Sequence, residues 1–361
     1  MALTYDLDHD NRVAILLLVK LNNSMRPFRA LLLRWPAIFI ALPITWAAQT
    51  SMKAIVIHQN GGPEVLKYED APRPRPKDDE ILIRVMAAAV NPVDVAIREG
   101  RFGGRGFPFI PGMDVAGVVE QAGSKVTRFK KGDAVYAYLS FEEQGGYAEF
   151  VVTKENHAAL KPKSIDFEHA AAVPLAATTG WQALVDKAGL KADQTVLIHG
   201  GSGGVGTFAV QIAKARGAKV IATASGANQD LLKQLGVDQP IDYTTTKFED
   251  VVKDVDVVLN GVRGDSLARS YGVVKKGGII VSITAPPDPA ELEKRGIRGT
   301  SFGAHPEAKI LEDLAKLIDS KRITPIVSAM IPLAEVAKAH EQIALQHTRG
   351  KIVLKVAEAP K

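Results

Sequence analysis

The stretch Thr195-Val-Leu-Ile-His-Gly-Gly-Ser-Gly-Gly-Val-Gly206 decides how this chain folds. Thr195 to His199 is a short apolar run rich in β-branched residues, the pattern of a buried strand. Glycines follow in the spacing Gly201-x-Gly203-x-x-Gly206, and Phe208-Ala-Val-Gln-Ile-Ala then continues as a helix. Glycine spacing alone is a weak signal, but a strand before it and a helix after it make it a dinucleotide-binding fingerprint. Gly201 permits the tight turn, Gly203 lets the backbone approach a pyrophosphate, and Gly206 lets helix and strand pack closely. Ser202, Gly204 and Val205 complete a loop whose free N–H groups and helix dipole favour phosphate.

Outward from this loop, strands and helices alternate. Lys219–Thr223, Asp256–Asn260 and Gly278–Ile283 read as strands, and Ala227–Gly236 and Pro306–Lys321 as helices. Glu168–Ala177 and Thr179–Ala188 read as two helices before the loop. Alternation of this kind predicts a doubly wound parallel sheet. Upstream, Lys53–His58, Glu80–Ala89, Gly117–Ala122, Ala134–Tyr138 and Ala148–Val152 are short β runs between turns, which predicts an antiparallel, barrel-like β domain. Pro72, Pro74 and Pro76 mark an extended connector. The chain returns to β runs at Ile323–Ile331 and Lys351–Val356. The expected division is a β-rich domain over residues 52–172 completed by 322–361, a parallel-sheet domain over 173–321, and an extension over 1–51.

Composition agrees with a soluble two-domain protein: 361 residues, 46% hydrophobic and 24% charged. Cysteine is absent, which excludes disulfides, thiolate catalysis and thiolate metal sites. The eight histidines show no HxxxH pairing, so no metal site is expected. The formal charge of +5 is dispersed and no basic run interleaves with aromatics, so no nucleic-acid partner is expected.

The strand after the glycine loop ends Ala222-Thr-Ala-Ser-Gly-Ala-Asn228, with no acid before Asp230. An NAD site places an acid there to bond the ribose hydroxyls. Its absence, with Ser225 and Asn228 able to donate to a 2′-phosphate, selects NADPH over NADH as the expected cofactor.

Several stretches together resemble the zinc-free quinone oxidoreductases of the medium-chain dehydrogenase/reductase superfamily, including the zeta-crystallin-like and ene-reductase members. They are Gly61–Leu66, Val90-Asn-Pro-Val-Asp94, Ile110–Gly117, Gly145–Glu149, Ala171–Trp181, the glycine loop, Asp242-Tyr243 and Thr348–Lys355, and they span nearly all of 52–361. The resemblance implies an α/β chain with a GroES-like β-rich catalytic domain and a Rossmann domain. It implies Asn91 near the nicotinamide and substrate with Asp94 beside it, and Thr179 on the nicotinamide side. Ser225, Asn228 and Tyr243 would surround the adenosine ribose and its phosphate, Gly261 and Ile283 would lie at later strand ends, and Lys351 would be a further cofactor contact. Zinc-dependent relatives carry metal-ligand Cys and His in the segments that here read Val90–Asp94 and Gly112–Asp114; the histidine slot is Met113. Ala96 stands where several relatives have a tyrosine.

The expected activity is hydride transfer from NADPH to a quinone or an α,β-unsaturated carbonyl, with Asn91 donating to the developing oxyanion. The alternatives are an enoyl-thioester or alkenal reductase, and an NADPH-binding protein with little catalysis in a structural or RNA-binding role. The resemblance also implies a homodimer. Residues 25–47 combine arginines, the apolar run Trp35–Ile44 and small residues, as a secretory signal does. Pro36, Pro43 and the shortness of that run argue against a membrane span. Since NADPH is made in the cytosol, a cytoplasmic enzyme starting at Met52 is favoured over export near Ala47 to the periplasm.

Overall fold

The computed structural model describes residues 51–102, 106–143, 145–345 and 348–357. The signal-like reading of 25–47 lies outside them. β1 (Ser51–Val56) and β2 (Lys67–Pro72) form an antiparallel pair. Then come β3 (Glu80–Val90), α1 (Pro92–Arg98), β4 (Asp114–Ala122), β5 (Ala134–Tyr138), β6 (Phe150–Lys154) and β7 (Ala158–Leu160). α2 (Phe167–Ala171) and α3 (Pro174–Trp181) lead to β8 (Thr195–His199), α4 (Gly204–Ala215), β9 (Lys219–Ala224), α5 (Gln229–Gln234) and β10 (Gln239–Asp242). α6 (Phe248–Val251), β11 (Val255–Asn260), α7 (Ser266–Ser270), β12 (Val274–Ser282), α8 (Pro289–Arg295), β13 (Arg298–Ser301) and α9 (Ala308–Asp319) follow. β14 (Val327–Pro332), α10 (Val336–Ala344) and β15 (Lys351–Lys355) end the described chain.

Two sheets organise the molecule. The order β10-β9-β8-β11-β12-β13 is parallel throughout, with the strand order reversing beside β8. The second sheet runs β14-β15-β3-β4-β5-β7, with β6 also on β3, and is antiparallel except for the β14–β15 pair. β15 is therefore far from β3 in sequence but adjacent to it in space, and this adjacency builds the site.

The largest core lies on the parallel sheet and takes in Ala87, Ala116 and Val353 of the antiparallel sheet as well. Val196, Ile198, Val220, Val257 and Val281 pack with Phe208 and Ile212 of α4. That helix places Val205, Phe208, Ala209 and Ile212 on one face by their three- and four-residue spacing. Burying Phe208 fully contributes about 2–3 kcal/mol. Ile81, Ile83, Val115, Val135 and Leu354 form the core of the antiparallel sheet around Tyr147.

Several expectations needed correction. The two helices expected at 168–177 and 179–188 are instead divided before Pro174, which opens α3 because its missing N–H is not needed in a first turn. α3 then passes without a break into a π-helical turn, Gln182–Lys187. The β run expected from Ile323 pairs only from Val327, after Pro325. β10 and β13 were not expected, because Gln-Pro-Ile-Asp and Arg-Gly-Thr-Ser carry no apolar run.

Candidate active site

The glycine loop leaves the end of β8 and enters α4 with Gly203 as the extended N-cap. Gly201 N–H donates to the Thr223 carbonyl at 2.9 Å, tying the loop to β9. A Cβ on Gly206 would stand 2.0 Å from the Gly200 carbonyl oxygen, so this position admits only glycine. A Cβ on Gly203 would meet nothing nearer than 3.5 Å. The backbone is thus closed behind Gly206 and open in front of Gly203, where the N-terminus of α4 can receive a phosphate. Underneath, His199 is buried between Thr223 Oγ1 (3.1 Å) and Ser270 Oγ (2.9 Å), and burial pushes its pKa down to about 4. It is a neutral core histidine.

At the end of β9, Asn228 Nδ2 donates to Ser225 Oγ at 3.1 Å, and Tyr243 is half exposed with its N–H on the Ala224 carbonyl. An acid does reach this corner, from β10. Asp242 Oδ2 lies 2.7 Å from where a Gly226 Cβ would stand, and Oδ1 accepts from Thr244 N–H at 2.9 Å. The Thr244 hydroxyl, donating to the same oxygen at 2.7 Å, and the Thr244 N–H hold the Asp242 carboxyl below its ordinary pKa. Reading only the end of β9 missed it, because the acid arrives one strand later. Gly261 and Ile283 follow β11 and β12; Gly261 lies beside the end of β8, and Ile283 N–H bonds the Asn260 carbonyl at 3.1 Å, one strand further on.

The β-rich side approaches through β15. Its ladder with β3 ends at Ile352 opposite Val90, which leaves Lys351 and Asn91 as neighbours. Lys351 Nζ donates to Asn91 Oδ1 and, at 3.0 Å, to Asp114 Oδ2. Asn91 Nδ2 donates to the same Asp114 oxygen at 2.9 Å, with the Ala89 carbonyl at 3.5 Å. Asp114 Oδ1 accepts from Leu175 N–H at 2.6 Å. Gly350, in the left-handed region at φ +64°, gives its N–H to the Ser202 carbonyl at 2.9 Å, docking the start of β15 on the glycine loop. The Lys351 stem also passes 3.1 Å from a would-be Gly204 Cβ. Lys351 therefore links the loop to Asn91 and Asp114. Sequence reasoning grouped Lys351 with the cofactor residues but did not pair it with Asp114, nor Asp114 with the Leu175 amide.

Both ends of the Asn91 amide are engaged, so in this arrangement it holds the Lys351 ammonium instead of presenting a free donor. Asp94 is fully buried and caps α1, accepting from Asn91 N–H at 2.8 Å and from Tyr147 OH at 2.9 Å. Burial raises its pKa to about 7. Thr179 Oγ1 donates to the Leu175 carbonyl at 2.7 Å. Met113, Ile97 and Tyr138, with Phe109 and Leu175, form an apolar wall next to Asp114. Tyr138 OH reaches the Ala304 carbonyl, beyond β13, at 2.9 Å.

Zinc does not suit this donor set. Met113 offers only a weak thioether, both Asp114 oxygens are occupied, and a second cation would meet the Lys351 ammonium. Among the described residues, no three His, Asp or Glu side chains come together as metal ligands.

A dinucleotide loop facing a β-rich domain across a shared boundary is the layout of a two-domain oxidoreductase. Residues 77–163 match the family model described as alcohol dehydrogenase GroES-like domain, and residues 235–354 match that described as zinc-binding dehydrogenase. The NADPH-dependent alkenal/one oxidoreductase of Arabidopsis thaliana chloroplasts is 38% identical over 84% of this chain and 79% of that protein. The quinone oxidoreductase structure from Coxiella burnetii superposes with a TM-score of 0.78 at 34% identity, covering 85% of this chain and all of that one. The Escherichia coli quinone oxidoreductase solved with NADPH gives a TM-score of 0.78 at 29% identity, over 84% and 100% of the two chains. The chain belongs to the quinone oxidoreductase branch of the medium-chain dehydrogenase/reductase superfamily.

Proposed function

We propose that this protein reduces quinones or α,β-unsaturated carbonyl compounds with NADPH and without zinc. The observation that carries the reading is the open face at Gly203, joined through Gly350 and Lys351 to Asn91 and Asp114. The names of the Arabidopsis and Escherichia coli relatives supply the chemistry: one is called an NADPH-dependent alkenal/one oxidoreductase, the other was solved with NADPH.

In this reading Gly201, Ser202, Gly203, Gly204 and Val205 hold the pyrophosphate, and Ser225, Asn228 and Tyr243 surround the adenosine ribose and its phosphate. Gly261, Ile283 and Thr179 line the remainder of the dinucleotide. NADPH, when bound, supplies the hydride. Asn91 orients the Lys351 cation, Asp94 fixes Asn91 by capping α1, and Met113, Leu175 and Tyr138 keep water from the reacting end. Oxygen charge that develops there meets a fixed positive group in a dry pocket, which lowers the barrier.

No described helix is long and apolar enough to cross a membrane. Because NADPH is made in the cytosol, a cytoplasmic enzyme is proposed, paired as a homodimer; among the described residues β13 is an edge strand of the parallel sheet. Loss of absorbance of NADPH is the test, with a quinone, an enone and a saturated alcohol with NADP⁺ as parallel arms. Turnover is expected with the first two only; alcohol oxidation as the main activity would overturn the proposal.

A further inference from the structure

Lys351 is committed to the β-rich side of the site. Its side chain is 4% exposed and that of Asp114 is 0% exposed. An ammonium carries three donor hydrogens. Two go to Asn91 Oδ1 and Asp114 Oδ2, and the third has no partner among the described residues. Backbone register fixes the position, one step past the Ile352–Val90 pair, and Gly350 behind it is fastened to Ser202. The stem thus passes the N-terminus of α4, and the ammonium reaches Asp114, whose other oxygen is held by Leu175 N–H at the apolar wall. Stability alone does not account for it, since a buried ion pair is often replaced by apolar residues at no loss. Asp114 also has two further donors, Asn91 Nδ2 and Leu175 N–H.

We infer that Lys351 is the electrophilic group of the reaction, its third N–H donating to the carbonyl oxygen of an α,β-unsaturated substrate. This rests on the function proposed above. The substrate's β-carbon gains a hydride from the reduced dinucleotide, which is oxidised. The C=C π pair moves to join the α-carbon to the carbonyl carbon, and the carbonyl π pair moves onto oxygen. The resulting enolate oxygen pairs with the ammonium, which keeps its proton. The α-carbon then takes a proton from water, so one hydride and one proton are consumed per saturated carbonyl formed. Asn91 and Asp114 are positioning residues that aim the cation.

The test compares Lys351→Met, Lys351→Arg and the double variant Lys351→Met with Asp114→Asn, which leaves no orphaned carboxylate if the single change misfolds. Three quantities are read: kcat on an enone and on a quinone, the NADPH dissociation constant, and the carbonyl stretch of an isotope-labelled ketone bound to the protein. In the methionine variants kcat on the enone is expected to fall about 10²–10³-fold, kcat on the quinone by less than about tenfold, and NADPH affinity by no more than about threefold. The quinone is spared because its reduced oxygen is a weaker base. The bound ketone's carbonyl band, lowered in wild type, should return toward its solution frequency, and arginine should restore part of the shift. An unshifted band in wild type, an enone kcat that survives the methionine change, or an equal loss on both acceptors with weakened NADPH binding would each overturn the assignment. Failure of wild type to reduce either acceptor would strike the proposed function, while the carbonyl band would still report whether Lys351 touches the ketone.

Discussion

Replacing Asp94 by asparagine should make the protein more stable at alkaline pH than at acid pH, relative to wild type. Asp94 is fully buried, and burial raises its pKa from 3.8 to about 7 against the opposing pull of Asn91 N–H and Tyr147 OH. In the unfolded chain the same carboxyl ionises near its ordinary value. Between those two pKa values the folded protein holds a proton that the unfolded chain has released. Stability therefore falls as pH rises through that window, and the penalty is complete above about pH 7, at about 4 kcal/mol. Asparagine keeps an oxygen that can accept both hydrogen bonds but has no charge to bury. Urea unfolding of both proteins should show the variant gaining about 2–3 kcal/mol on wild type between about pH 5 and about pH 8. A difference that stays constant with pH would mean that Asp94 titrates as an ordinary carboxylate, and the reasoning would fail.

Two other contrasts follow from the geometry. Gly203→Val has room in the free protein and should keep its melting temperature while losing at least about a hundredfold in NADPH affinity, a loss of about 3 kcal/mol; Gly206→Val meets the Gly200 carbonyl and should fail to fold or melt far lower. Equal NADPH binding by Gly203→Val and wild type, read by calorimetry, would remove the pyrophosphate site. Tyr138→Phe leaves the Ala304 carbonyl without its donor and should cost about 1–2 kcal/mol in urea unfolding with unchanged NADPH affinity.

The glycine loop was legible because its chemistry is local: a strand, three spaced glycines and a helix lie within eighteen consecutive residues, 195–212. Element order was legible for the same reason wherever apolar runs were strong. β10 and β13 escaped because short polar strands at a sheet's edge are held by backbone pairing, which leaves little trace in side-chain pattern. The reacting end was legible only in part. Asn91 stood out from its motif, but its partner Lys351 lies 260 residues away and Asp114 lies 23 away. Only the sheet register brings these three together, and no spacing in the sequence announces it. The same distance explains why Asn91 reads as a free donor in the sequence and as an engaged one in the structure.

The central claim is that this chain moves a hydride onto a carbon made electrophilic by a conjugated carbonyl, with no metal at the reacting end. Its most direct test is mass spectrometry of the product formed from an enone and deuterated NADPH by protein exhaustively treated with chelator. One deuterium at the β-carbon of a saturated ketone is the expected result. An unsaturated alcohol labelled at the carbinol carbon, or product only after zinc is restored, would contradict the account.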